Sequence, residues 1–285
     1  MNSSFILAPE GYDMRDVDPW GPLYEAKTYG TILAANIVRR REIENQGDTW
    51  EIEFPHHPGV FGLVPEAQTG LPDGAPMSNM VGATINVKVM GVDRQEGIAA
   101  CSRKEAVEQY LAKLVRKLAI GERIPGLVKF LGVGGVYTDI GGGVLVKISE
   151  EQARISRGVP LDVQYQADDR VELIVKRLDL GAKAIEVDLV NPWERWVFNR
   201  GEILLGKVVT IREKLAFIRV KPGVIGLVPN RKSGGFTLGE QIKFQVNAFD
   251  PQTRKLHLVE WNPDKARQRR REIVKSKSRR VNKGC

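Results

Sequence analysis

The sequence predicts an all-β protein built of small five-stranded barrels in tandem, joined by linker helices and ending in a basic tail. Three observations lead there. The string GVFGLVP at 59–65 returns as GVIGLVP at 223–229. In both copies a glycine, Gly82 or Gly239, is followed eleven residues later by an aspartate, Asp93 or Asp250. The runs between these landmarks are apolar at every second position, the period of a half-buried strand. A unit used more than once must fold as a unit, so the repeat sets the architecture before any single residue does.

Residues 1–28 precede the first unit as an extension. The first barrel spans 29–101, with a charged excursion at 39–48 and extra residues between Pro65 and Gly82, both expected as surface loops because they are rich in charged or turn-forming residues. Ser102 and Glu105 then form a capping box. Val107, Tyr110, Leu111, Leu114, Val115 and Leu118 follow at helical spacing, which predicts a linker helix over 102–120 whose apolar stripe packs on neighbouring barrels.

A weaker copy occupies 121–190. GVYTDIG at 135–141, VLVKIS at 144–149, VELIVKRL at 171–178 with Asp179, and IEVDL at 185–189 keep the required order. Val144 stands where the outer units have the glycine before Leu-Val, and no proline follows the motif. A second linker covers 191–202. Asn191-Pro192 and Asn262-Pro263 each set a capping residue before a proline suited to the first helical position.

The third barrel spans 203–261. Segments 206–211 and 215–220 alternate, Pro222-Gly223 turns the chain into 224–228, Ile242, Phe244, Val246 and Ala248 alternate again, and Leu256-His257-Leu258 closes the unit. Five strands in about sixty residues are too few for a two-sheet sandwich and enough for a small closed barrel.

Charge is informative through its position. The chain carries 43 Lys and Arg against 35 Asp and Glu, a net +8. Residues 262–285 hold ten cations and two carboxylates, so the basic tail supplies the whole excess and the body is formally neutral. A run this one-sided predicts contact with a polyanion, with Arg269, Arg270, Arg271, Arg279 and Arg280 as candidates.

Motifs for chemistry are lacking. The three histidines, His56, His57 and His257, have no metal-ligand spacing with cysteines. The glycine runs at 132–135 and 141–143 lack the Gly-Lys-Ser/Thr ending of a phosphate loop and read as turns. The expectation is a non-enzyme without cofactor, metal or small-molecule substrate. Cys101 and Cys285 read as free thiols, and the apolar stretch at 5–8 is too short for a signal peptide, so a cytoplasmic protein without membrane contact is expected.

GLVP, the Gly-to-Asp spacing and the closing strand together resemble the S1 RNA-binding domain family. The resemblance implies OB-type barrels that bind single-stranded RNA without catalysis, in a ribosome- or mRNA-associated setting. It also implies an aromatic platform for bases in the second strand. Aligning the units puts Trp50, Tyr137 and Phe217 at that shared position, although a strand aromatic in so small a barrel reads equally well as core. A second family aromatic, three residues earlier, is replaced by Gly134 and Lys214. The family's histidine after GLV is replaced by Pro65, Lys147 and Pro229. Lys147, Arg231 and Lys232 are candidate phosphate contacts. Single-stranded DNA binding and a protein–protein docking role stand as alternatives.

Overall fold

The computed structural model describes residues 18–44, 46–72, 75–156, 159–179, 181, 184–212, 214–230 and 235–263. Packing divides the chain into two compact units, Met1–Lys147 with Leu173–Asp188, and Ile148–Glu172 with Leu189–Cys285.

The first unit opens with α1 (Gly21–Tyr29), which buries Leu23 and Ala26 and packs along β4 (Thr84–Asp93). The sequence showed no helix here, because two buried positions in nine residues make no clear stripe. β1 (Ile32–Ile43), β2 (Gly47–Glu53), β3 (Phe61–Pro65), β4 and β5 (Ile98–Ser102) close into a barrel in the order β1-β2-β3-β5-β4. Its inward positions, among them Ala35, Ile37, Ile52, Val64 and Val87, are fully buried. The charged stretch expected as a loop is instead a strand extension paired to β2, from Arg39 opposite Glu51 to Ile43 opposite Gly47. Cross-strand ion pairs explain why so polar a segment stays extended: Arg40 with Asp48, and both Arg39 and Arg41 with Glu51.

Helix α2 (Arg103–Lys117) follows, its first turn capped by Ser102 Oγ, which accepts from the Glu105 N–H at 3.1 Å. Tyr110 lies where a Cβ on Gly142 would meet its ring at 2.3 Å, so this glycine run is a packing surface as well as a turn. The buried Arg103 guanidinium donates to Thr69 O at 2.8 Å and Gly143 O at 2.7 Å. Burial pushes its pKa down to about 10, opposed by the charge of Asp139, and it remains cationic at neutral pH.

The middle sheet comprises β6 (Arg123–Gly132), β7 (Gly135–Asp139), β8 (Leu145–Ser149), β9 (Arg170–Asp179) and β10 (Ala184–Leu189), in the order β10-β9-β6-β7-β8. This is the order of the first barrel cut at one seam, between the third and fifth strands. In the first barrel that seam is parallel, with Gly62 opposite Ala99, and a Cβ on Gly62 would lie 2.6 Å from Ile52 and 3.2 Å from Cys101. The middle copy carries Val144 at this place, and its branched side chain does not fit so close an approach.

In the second unit, α3 (Glu150–Ala153) and α4 (Leu161–Gln164) lie in the β8–β9 connection, and α5 (Pro192–Arg195) starts at Asn191, whose Oδ1 accepts from the Trp193 N–H at 3.1 Å. β11 (Ile203–Ile211), β12 (Leu215–Lys221), β13 (Val224–Pro229), β14 (Gln241–Asp250) and β15 (Lys255–Glu260) close the other barrel in the order β11-β12-β13-β15-β14. A Cβ on Gly226 would sit 2.4 Å from Leu258 of the closing strand, the counterpart of the Gly62 constraint. At the β12–β13 turn, Gly223 donates to Gln164 O at 3.1 Å and accepts from Ser156 Oγ and Trp193 Nε1, each at 3.2 Å. Its positive φ of 73° and the Tyr165 hydroxyl 3.0 Å from a would-be Cβ both demand glycine.

The repeated aspartates have a local task. Asp93 Oδ1 accepts from the Gln95 and Glu96 N–H groups, and Asp250 Oδ1 from those of Gln252 and Thr253, so each closes the turn between fourth and fifth strands. Asp179 Oδ1 accepts likewise from Gly181. These bonds hold the Asp250 carboxyl below its usual range, led by the Thr253 hydroxyl.

Candidate nucleic-acid interface

Each of the three first–second strand pairs carries a bulge at the same place, which aligns the modules residue by residue. Val208 faces Ile218 and, past the bulge, Thr210 faces Phe217. Val128 faces Thr138 and Phe130 faces Tyr137. Ile37 faces Ile52 and Arg39 faces Glu51. Tyr137 and Phe217 therefore share a position, as the sequence predicts, but their counterpart in the first barrel is Glu51. Trp50 is one residue out. A shift of one reverses the face of a strand, and Trp50 points inward, fully buried, with Nε1 donating to Met77 O at 3.0 Å. It belongs to the core.

The shared outward position differs in each module. Glu51 is nearly buried and held by Arg39 at 3.0 Å and Arg41 at 3.1 Å. Tyr137 is 8% exposed and stacks on Phe130, with ring centroids 4.8 Å apart, so its face is already occupied. Phe217 is half-buried, and the Arg212 guanidinium lies 5.2 Å from its ring centroid. Of the three, Phe217 combines an outward ring with an adjacent exposed cation. Lys147 is exposed, with its ammonium 5.9 Å from the Tyr137 ring. Arg231, Lys232, Arg269, Arg270, Arg271, Arg279, Arg280 and Cys285 lie outside the described residues.

The misalignment has a simple origin. The first barrel connects its second and third strands through 54–60, whereas the last uses only Pro222 and Gly223, so counting back from GLV fails. The inward isoleucines Ile52 and Ile218 give the correct anchor, since Trp50-Glu51-Ile52 then overlays Ala216-Phe217-Ile218. Arg212 was also missed in the sequence, where it is one basic residue among several in a turn.

Among the described residues no group of three or more His, Cys, Asp and Glu could hold a metal ion, and no helix is long and apolar enough to cross a membrane. No family model matches the chain. It is 32% identical over 181 residues to the small ribosomal subunit protein bS1 of Staphylococcus haemolyticus, an alignment covering 60% of this chain and 46% of that one. The barrels are S1-like. A further match, 26% identical over 226 residues, covers 70% of this chain and 34% of the 4-hydroxy-3-methylbut-2-enyl diphosphate reductase of Clostridium acetobutylicum. The chain thus spans less than half the length of these two relatives. A solved multidomain protein with nucleic acid binding domains from Streptococcus pneumoniae aligns over 81% of this chain and 73% of its own, at 12% identity and a TM-score of 0.28, a likeness too slight to argue from.

Proposed function

We propose that this chain binds single-stranded RNA without catalysis, using the outer face of the last S1-like barrel as its principal base contact and the basic tail as its phosphate contact. The observation that carries the reading is Phe217: an outward ring at the family's platform position, with Arg212 beside it to meet a phosphate. The relatives named as ribosomal proteins support RNA in a ribosomal or mRNA-associated setting. The first barrel has a different part. Its platform position offers no ring: Glu51 is buried and paired with Arg39 and Arg41, so this barrel adds no base-stacking contact there. The test is a titration of the full chain against single-stranded RNA, single-stranded DNA and duplex RNA of equal length at two salt concentrations. Single strands should bind more tightly than the duplex with little dependence on base order. A duplex bound as tightly, or no binding to any of the three, refutes the reading.

A further inference from the structure

The second unit holds a concave surface that the preceding reading does not use. A cleft of about 180 Å³ is lined by Lys207, Arg219, Lys221 and Gln241 together with Leu205 and Gly206. Lys207 faces Arg219 across the β11–β12 pair and Gln241 across the β11–β14 pair, which brings the polar groups together. The Arg219 guanidinium is committed, donating to Asp169 and to Gln166 Oε1. Lys207 and Lys221 form no ion pair among the described residues, so the cleft keeps two uncompensated ammonium groups.

An aromatic ring adjoins them. The Lys221 ammonium lies 4.7 Å from the ring centroid of Trp196, and the Arg195 guanidinium, paired with Glu172, lies 5.5 Å from it. Trp193, three residues earlier, is buried and stacks on Phe249. Trp196 is 36% exposed and contributes nothing to that core. The charge is particular to this barrel. At the places of Lys207 and Arg219 the first barrel has Asn36 opposite Glu53.

We infer that this cleft is a second contact for a single nucleic-acid strand, with Lys207 and Lys221 holding phosphate oxygens and Trp196 stacking a base. The inference rests on the reading of the chain as a single-strand binder and adds residues that reading does not use. Lys221 is four residues beyond Phe217 on β12, about 13 Å at roughly 3.3 Å per strand residue. Site sizes of about 4–16 nucleotides per barrel of this type accommodate both contacts on one strand.

The test compares the full chain with Trp196→Ala, Trp196→Phe and the double variant Lys207→Gln/Lys221→Gln, using a labelled single-stranded RNA, with unfolding midpoints measured alongside. Trp196→Ala should weaken binding about tenfold, and Trp196→Phe, which keeps a ring, should restore most of it. The double variant should flatten the slope of log affinity against log salt by about 1.4, or about 0.7 for each phosphate no longer neutralised. Inorganic phosphate at constant ionic strength should not displace the RNA. If it displaces RNA from the wild type but not from the double variant, the cleft is a free-anion site and the inference fails. Should the wild-type chain bind RNA while every variant keeps its affinity and salt slope, the inference alone fails. Should the wild-type chain bind no nucleic acid, the functional reading falls and the inference with it.

Discussion

A single residue's face decides its role in these barrels. Trp50 and Phe217 are both second-strand aromatics, yet one side of the pleat is core and the other is surface. Trp50→Ala should therefore lower stability by about 3–5 kcal/mol, read as a fall in the unfolding midpoint. Its direct effect on RNA affinity should be nil under conditions where the variant stays folded. Cys101 gives a second residue-scale prediction. Burial raises its thiol from 9.0 to about 12. Because the folded pKa is raised, the corresponding stability is fully present below pH 9 and is lost as pH rises from 9 towards 12. The loss is of order 4 kcal/mol. In Cys101→Ala, stability measured from about pH 8 to about pH 12 should decline less than in wild type. An identical decline in both proteins would show that the thiol is not the group responsible.

Elements were legible where a physical constraint leaves a mark in the residue types. GLVP, the turn-closing Asp93 and Asp250, and the capped starts at Ser102 and Asn191 all appear in the sequence because a close approach or an orphan N–H dictates the residue. Val144 was visible too, and it stands at the seam where the middle sheet is open. The extension of β1 through 39–43 was hidden, because ion pairs across a hairpin leave no apolar alternation to read. Unequal connections between second and third strands hid the register of the platform, since counting back from GLV then misplaces the residue of the first barrel. The glycine at the closing seam can be tested directly. Gly226→Ala places a methyl 2.4 Å from Leu258 and should cost about 1–3 kcal/mol. Faster amide exchange along β13 and β15 should accompany that loss. Unchanged stability would mean that glycine is not what permits this seam.

At the scale of the whole molecule, three modules that share one design differ at the platform position. The first barrel presents Glu51 and two arginines, the middle sheet presents a ring already stacked, and the last barrel presents Phe217. The formally neutral body and the basic tail separate two properties of binding. Ending the chain after Asn262 should flatten the salt dependence by about 0.7 in log–log slope for each phosphate the tail would otherwise neutralise, while the preference for single strands remains. A full salt slope in the truncated protein would move the phosphate contacts onto the barrels. The central claim is that Phe217 stacks a base, and the most direct measurement is the affinity of Phe217→Ala for single-stranded RNA beside its unfolding midpoint. The account predicts a loss of about 1–3 kcal/mol in binding with the midpoint unchanged. Wild-type affinity in this variant, or a fall in stability large enough to explain the loss, would contradict it.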